Sequence, residues 1–188
     1  MKKIYLLRHF KVIDGCDKRV FNSHEIDVWV DRYDTFDLDF FGVELPHIDE
    51  VFTSELSRAK RSAQYLNLTY KSTDLLNEVS AKAFIDTKFK FPKMLWLLIG
   101  RIYWYFGWVK RSEKREETYE RAKEVVDMLL ESNSKSIMAI SHGFFMRIIA
   151  KELKTRGFNG IIDNHPKNGK IYIFSNDSLT QTLSAKTI

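Results

Sequence analysis

Short apolar segments alternate along this chain with segments of helical periodicity, and that alternation is the strongest constraint on the fold. The strand-like segments are residues 3–7, 50–53, 137–140 and 171–174. Apolar side chains recur at spacings of three and four in residues 55–66, 113–131 and 144–153. Strands that alternate with helices form a largely parallel sheet that is covered on both faces. We therefore predict an α/β fold, a three-layer αβα sandwich with a mostly parallel central sheet.

The length and composition fit one globular domain. With 188 residues, of which 44% are hydrophobic and 29% charged, the chain can bury a core and is neither disordered nor fibrous in composition. We expect a single domain over residues 1–188, with a basic aromatic insertion or cap at about residues 86–115. The single Cys16 and the short apolar run at the start favour a cytoplasmic location.

The formal net charge of +5 is distributed unevenly. Residues 25–50 hold nine acids and one base, a local charge of −8, whereas residues 88–115 hold eight bases and one acid, a local charge of +7. Because the surplus belongs to one segment, the chain is not generally basic, and we expect no nucleic-acid partner. The acidic stretch lacks the glycine and terminal glutamate of an EF-hand loop, so we interpret it as a solvated face.

Three strand-like segments lead to residues that suit phosphate. Arg8 and His9 follow the first, Arg58 comes shortly after the second, and His142 follows the third. Ligands of an open parallel sheet bind at the carboxyl ends of its strands, so these residues should converge. Two guanidiniums can clamp a phosphoryl group, one imidazole can attack phosphorus, and a second, protonated imidazole can stabilise the transition state. This chemistry needs no metal and no organic cofactor.

Four motifs occur in a fixed order. They are Leu6-Leu7-Arg8-His9, then Thr53-Ser54-Glu55-Leu56-Ser57-Arg58-Ala59, then Leu76-Asn77-Glu78, and finally Ser141-His142-Gly143. Together they resemble the Arg-His-Gly, Ser-x-Leu-x-Arg-Ala, Leu-x-Glu and second His-Gly motifs of the histidine phosphatase superfamily, the phosphoglycerate mutase-like proteins. The resemblance covers most of the chain, and residues 20–48 and 80–112 match least.

The resemblance implies a role for each matched residue. His9 is the expected nucleophile that becomes phosphorylated, Arg8 and Arg58 bind the phosphoryl group, and His142 is the second histidine of the substrate-binding pocket. Glu78 is the expected general acid, with Asp74 and Asp86 as rival carboxylates. The implied function is metal-independent hydrolysis of a phosphorylated small molecule. A phosphoglycerate mutase-type phosphotransferase and a phospholigand-binding module with a degenerate site are the alternatives.

Several positions depart from the family pattern. Phe10 stands where the family has glycine, Lys11 and Val12 replace its usual acid and hydroxyl residue, and Gly15 lies where asparagine often follows. The bulk of Phe10, at a point where the backbone commonly approaches phosphate, motivates the binding-module alternative. We expect Arg61 to occupy a solvated helix position, and His24, His47 and His165 to be structural or exposed.

The segment of residues 94–109 is apolar, aromatic or glycine except for Arg101. It is too short to span a bilayer comfortably, and its apolar residues surround the whole helical circumference. We expect it to form a cap over the active site or the contact of a homodimer. An interfacial helix on an anionic membrane surface is the second interpretation, because Trp96, Trp104 and Trp108 lie between basic flanks.

Overall fold

The computed structural model describes residues 1–108 and 113–177. Within them, ten strands, β1 to β10 in chain order, cover Lys3–Arg8, Lys11–Val12, Val20–Phe21, Leu38–Asp39, Glu50–Ser54, Lys71–Thr73, Phe91–Pro92, Ser136–Ser141, Asn159–Gly160 and Ile171–Ser175. The α-helices of the same residues, α1 to α5, cover Ser23–Arg32, Ser57–Tyr65, Lys93–Tyr105, Arg115–Glu131 and Gly143–Thr155. Short 3-10 turns occupy Tyr33–Thr35 and Asp74–Leu76.

Six of these strands form the central sheet, in the order β6-β5-β8-β1-β10-β9. The pairs β5–β6, β5–β8 and β1–β8 are parallel, whereas β10 pairs antiparallel with both β1 and β9. The predicted mostly parallel sheet is thus confirmed, and the antiparallel pairs lie at one edge. The four predicted strands and three predicted helices are all present, with boundaries shifted by one or two residues.

Both faces of the central sheet are covered. Tyr5, Leu7, Met138 and Ile140 pack in one cluster with Ala59 and Ala63 of α2. Because successive strand residues point to opposite faces, Ile4, Leu6, Ile137 and Ala139 face the other way, and all four are fully buried. Helix α5 contacts β1. The predicted three-layer sandwich is therefore confirmed.

The chain divides into two compact units. The first comprises Met1–Lys11, Phe40–Glu78 and the described part of the chain from Arg121 onward, and it holds the central sheet. The second comprises Val12–Asp39 and Val79–Glu120. Residues 86–115 belong to the second unit, and of these residues 109–112 lie outside the described part of the chain. That residues 1–188 form a single domain with an insertion stays a prediction.

The second unit has its own core, built around an unpredicted helix. Ile26 and Trp29 of α1 pack with Phe21, Ala83 and Trp96. A reciprocal capping box starts the helix: the Asn22 side chain accepts from the Glu25 N–H, and the Glu25 carboxylate accepts from the Asn22 N–H. None of the helices in the described residues has the length and apolar character needed to cross a membrane.

Candidate active site

The carboxyl ends of β1, β5 and β8 lie side by side in the first unit. In the parallel ladders, Arg8 of β1 is opposite Ser141 of β8, and Thr53 of β5 is opposite Ile140 of β8. Beyond the ladder, the His9 N–H donates to the Ser141 carbonyl at 3.1 Å. This register brings the rings of His9 and His142 to a centroid separation of 5.0 Å. The expected convergence at one edge of the sheet is therefore present.

The His9 imidazole is buried and held in one orientation. Its Nδ1 lies 2.6 Å from the carbonyl oxygen of Phe10. Since a carbonyl only accepts, Nδ1 carries the proton, and the lone pair of the neutral ring is on Nε2. The backbone thus selects the tautomer in which Nε2 is available as a nucleophile.

His142 is wholly buried in a chain of hydrogen bonds. Its Nδ1 accepts from Arg58 Nε at 3.2 Å, and its Nε2 donates to Ser54 Oγ at 2.8 Å. Ser54 Oγ in turn donates to Asn77 Oδ1 at 2.6 Å. These bonds fix His142 as a neutral imidazole protonated on Nε2, with both ring nitrogens engaged.

Burial and nearby positive charge keep both imidazoles unprotonated. Desolvation, followed by the charge of Arg58, lowers the pKa of His9 to about 3, and Arg8 adds to this effect. Desolvation and Arg58 likewise hold the pKa of His142 well below its usual value of 6.5. The protonated second imidazole expected from the sequence therefore does not describe the protein without ligand. A bound phosphoryl dianion would favour protonation, because opposite charge raises a histidine pKa.

This arrangement predicts that acid destabilises the protein. The unfolded chain binds a proton at His9 near pH 6.5, whereas the folded protein does so near pH 3. The unfolded state therefore binds more protons between these values, and the free energy of unfolding falls as the pH is lowered through this window. We expect the free energy of unfolding of wild type, measured in urea, to fall between about pH 7 and about pH 4.5. In His9→Asn the fall over the same range should be about 2–3 kcal/mol smaller, because the titrating imidazole is absent. The exposed His165→Asn should follow wild type; equal losses in all three proteins would contradict the buried neutral imidazole.

Two arginines flank the histidines. Arg58 lies in the first turn of α2 and is buried. Arg8 ends β1, and its Nη1 donates to the Pro166 carbonyl at 2.6 Å. The Arg8 guanidinium lies against Gly143, where an added Cβ would come within 2.9 Å of Cζ. Gly143 thus leaves the space that the Arg8 side chain occupies.

Glu78 is anchored at the start of α5. Its two carboxylate oxygens accept from the backbone N–H groups of Phe144 and Phe145 at 3.2 and 3.1 Å. Carboxylates are favoured at helix N-termini, where unpaired N–H groups point outward. These bonds place Glu78 within one turn of His142. Of the rival carboxylates, Asp74 is exposed in the first unit, and Asp86 belongs to the second unit.

The side chain of Phe10 is fully buried in an aromatic cluster of the first unit. Its ring makes edge-to-face contacts with Phe40, Phe41 and Tyr65 at centroid distances of 5.1–5.3 Å. Its N–H donates to Ser62 Oγ, which donates to the carbonyl of Arg58. The bulky residue thus fills a core and ties β1 to the helix that carries Arg58.

We expect Phe10→Ala to lower the free energy of unfolding by about 3–5 kcal/mol, because it leaves a cavity among three aromatic rings. Urea unfolding measures the change. Phe89→Ala is the matched control, since Phe89 is 77% exposed and its loss should change stability by less than about 0.5 kcal/mol. Equal effects of the two substitutions would show that Phe10 does not pack as described.

Sequence patterns did not reveal the loop between β9 and β10. In this loop the Pro166 carbonyl binds Arg8, Asn168 Nδ2 donates to the His9 carbonyl at 2.8 Å, and the Gly169 N–H donates to the Arg8 carbonyl at 2.9 Å. Gly169 has a φ of +69°, and a side chain there would meet Phe10 and Phe41. The only sequence signal for this loop was Gly169 itself, because a glycine in a turn is expected to adopt a positive φ.

The remaining candidates are Arg61 and three histidines. Arg61, one turn after Arg58, was expected at a solvated position but is half-buried. His24, His47 and His165 are exposed, as expected. Within residues 1–108 and 113–177, no group of three or more His, Cys, Asp or Glu side chains is arranged to hold a metal ion.

The chain belongs to the histidine phosphatase superfamily. The family model described as the histidine phosphatase superfamily (branch 1) matches residues 43–186, most of the chain. The match includes Arg58, Glu78 and His142 and begins after Arg8 and His9, so the latter two are placed by the geometry of the strand ends. No curated protein sequence matches the chain significantly.

Several solved structures share the fold. The product of the open reading frame Rv3214 of Mycobacterium tuberculosis is 17% identical, with a TM-score of 0.56 over 94% of this chain and 92% of that one. A mutant phosphoserine phosphatase of Entamoeba histolytica in complex with phosphoserine is 13% identical, with a TM-score of 0.56 over 95% and 92%. A mycobacterial glucosyl-3-phosphoglycerate phosphatase complexed with VO3 is 12% identical, with a TM-score of 0.55 over 93% and 91%.

Proposed function

We propose that this protein hydrolyses phosphomonoesters through a phosphohistidine formed at His9. The observation that carries the proposal is the His9 imidazole, which the Phe10 carbonyl orients with its Nε2 lone pair available and which lies near enough to Arg58 and Arg8 for their charges to lower its pKa. A neutral imidazole is the nucleophilic form, and guanidiniums are suited to bind phosphate oxygens in bidentate fashion. Membership of the superfamily and the phosphatases among the structural neighbours support an enzyme of the phosphatase or mutase kind.

In the first half of the proposed reaction, His9 Nε2 attacks phosphorus as the ester P–O bond breaks. Glu78, in its protonated form, transfers its proton to the leaving oxygen, and the alcohol departs. The phosphorylated ring gains positive charge, and its Nδ1–H bond to the Phe10 carbonyl stabilises that charge. Arg8 and Arg58 bind the equatorial oxygens, whose charge they offset in the transition state.

In the second half, water replaces the alcohol. The Glu78 carboxylate takes a proton from water as the oxygen attacks phosphorus and the P–N bond breaks. Inorganic phosphate leaves, His9 returns to the neutral ring, and Glu78 is protonated again. We assign His142 to the pocket as a histidine that takes up a proton when the phosphoryl dianion binds, since the dianion competes for the Arg58 donor and favours the imidazolium.

The two alternative functions differ from the proposed hydrolysis in different ways. In a mutase, a second hydroxyl accepts the phosphoryl group in place of water. In a binding module the pocket holds a phospholigand without turnover. That hypothesis rested on the bulk of Phe10, and the burial of its ring in the aromatic cluster removes this motivation. The phosphatases among the neighbours favour a phosphorylated small molecule as substrate.

Hydrolysis of a generic aryl phosphate tests the proposal. We expect release of inorganic phosphate that is unchanged by a metal chelator. Activity abolished by the chelator would contradict the metal-independent mechanism. Transfer to an added alcohol or phosphoglycerate, without phosphate release, would favour the mutase. Wild-type protein that is inactive over a wide pH range but binds inorganic phosphate would favour the binding module.

Gly143→Ala should lower kcat/KM by about tenfold, because the new methyl group displaces the Arg8 guanidinium by a few tenths of an ångström or more. Steady-state kinetics on an aryl phosphate measures the loss. The matched control is Gly42→Ala, where an added Cβ meets nothing within 4 Å and kinetics should be unchanged. Full activity in Gly143→Ala would show that the position of Arg8 is not critical.

A further inference from the structure

Helix α3 and the residues after it present a continuous apolar surface to solvent. Six large side chains, between 43% and 72% exposed, form it: Met94, Leu98, Ile102, Tyr105, Phe106 and Trp108. At 3.6 residues per turn, the four that belong to the helix lie within an arc of about 80°. No charged residue of α3 falls within that arc. We call these six residues the α3 surface.

The opposite side of the helix is fixed in the second unit. Trp96 is buried, and its Nε1 donates to the Phe21 carbonyl at 2.7 Å. Trp104 is also buried, and its Nε1 donates to Thr118 Oγ1 at 3.0 Å. Arg101 Nη2 donates to the carbonyl of Val79 at 3.1 Å. These bonds fix the rotation of the helix about its axis. The α3 surface therefore faces outward as a consequence of the fold.

Basic residues flank the α3 surface at both ends. Residues 88–115 hold eight bases and one acid, so their net charge is +7. Lys88 and Lys114 are exposed, and the Arg115 guanidinium lies 4.5 Å from the ring centroid of Tyr105. Lys93 forms an ion pair with Asp14 inside the second unit. Lys110 and Arg111 lie outside the described residues.

We propose that the α3 surface docks on the headgroup region of an anionic lipid bilayer. An apolar helical face with aromatic side chains and basic flanks is the pattern that binds such an interface. The 13 residues of α3 rise about 20 Å, less than the roughly 30 Å of a hydrocarbon core, so the helix lies in the interface and does not cross it. The basic flanks supply the attraction to anionic headgroups.

The charge argues against a second copy of this chain as the occupant. A two-fold dimer uses the same patch on both subunits, so the basic flanks with the exposed Lys88 and Lys114 would enter one interface from both copies. Like charges across an interface disfavour association. Nucleic acid suits the flanks but not the apolar centre, because its affinity comes mainly from phosphate contacts.

Vesicle flotation with the full chain tests the proposal. We expect binding to vesicles of phosphatidylserine and phosphatidylcholine, at least about tenfold weaker binding to pure phosphatidylcholine, and weakening by salt. The double variant Leu98→Glu/Ile102→Glu should lower binding at least about tenfold. Lys88→Glu/Lys114→Glu, which leaves the apolar residues in place, should lower it by a similar factor. Ile161→Glu is the matched control, since Ile161 is 85% exposed in the first unit and its variant should bind like wild type.

Each contrary outcome overturns the proposal. No binding to the anionic vesicles at low salt would do so, as would equal binding by wild type and the Leu98→Glu/Ile102→Glu variant. Equal binding to neutral vesicles would remove the role of charge. A dimer in sedimentation velocity without lipid, lost in the Leu98→Glu/Ile102→Glu variant, would identify a second copy as the occupant. Circular dichroism confirms that each variant is folded, and because no readout is catalytic, the result does not depend on the proposed phosphatase reaction.

Discussion

Replacing His9 by asparagine is expected to lower kcat/KM for an aryl phosphate by at least ~10³-fold. The asparagine amide can still donate to the Phe10 carbonyl, but it has no lone pair that can attack phosphorus. The loss of activity therefore reports the missing nucleophile and not a disturbed fold. A large effect is expected because the proposed route divides one difficult displacement into two easier ones, and both need Nε2.

The control for this variant is His165→Asn, which removes an exposed imidazole. It should retain wild-type kinetics. Binding of inorganic phosphate, measured by calorimetry, should persist in His9→Asn because Arg8 and Arg58 remain. A His9→Asn protein with more than about one tenth of wild-type activity would exclude His9 as the nucleophile.

The second large effect is expected at Glu78. Glu78→Gln should lower kcat/KM for an alkyl phosphate by about 10²- to 10⁴-fold, because an alkoxide leaves poorly without a proton. For an aryl phosphate whose leaving group is acidic, kcat/KM should fall much less, since kcat/KM reports the steps up to the phosphohistidine and not the later attack of water that Glu78 also assists. This dependence on the leaving group distinguishes a general acid from a carboxylate that only anchors helix α5 at Phe144 and Phe145.

Asp74→Asn is the matched control for Glu78→Gln. Asp74 is an exposed carboxylate four residues earlier in the same unit, and its loss should leave both substrates unaffected. If Asp74→Asn lost much more activity on the alkyl than on the aryl phosphate and Glu78→Gln did not, the general acid would be Asp74. An equal loss of kcat/KM for alkyl and aryl substrates in Glu78→Gln would indicate a positioning role.

The centre of the sheet was predictable because strands β1 and β8 are buried on both faces. Residues 4–7 and 137–140 are continuous apolar runs, and such runs are typical of parallel strands. Their carboxyl ends also fixed the neighbourhood of His9 and His142, since the ends of adjacent parallel strands meet at one edge. The two histidines and the two arginines of the candidate site were therefore accessible from local patterns, whereas Glu78 came only from the resemblance to the family.

The bonds that orient those residues were not predictable. Ser54 binds His142 and Asn77 accepts from Ser54, yet the side chains of Ser and Asn carry no periodic signal. The second unit was largely missed for a similar reason. Its strands Val20–Phe21 and Phe91–Pro92 have two residues each, too few to show alternation.

Phe10 shows how a local pattern can mislead. In the sequence it stands in the place of a family glycine, which suggests a disturbed phosphate site. In the structure its ring belongs to the cluster with Phe40, Phe41 and Tyr65, whereas its carbonyl oxygen holds His9. The side chain of Phe10 thus contributes to the core, whereas its backbone contributes to the candidate site. Only the tertiary contacts show that these two roles are distinct.

Direct detection of a phosphorylated His9 tests the central claim. Protein mixed with a phosphomonoester and quenched in alkali, where phosphohistidine survives, should gain one phosphoryl group by intact mass, and peptide mapping should place it on His9. The adduct should disappear on acid treatment and be absent from His9→Asn. A phosphoryl group on any other residue, or steady hydrolysis with no trapped adduct under rapid quench, would contradict the phosphohistidine mechanism.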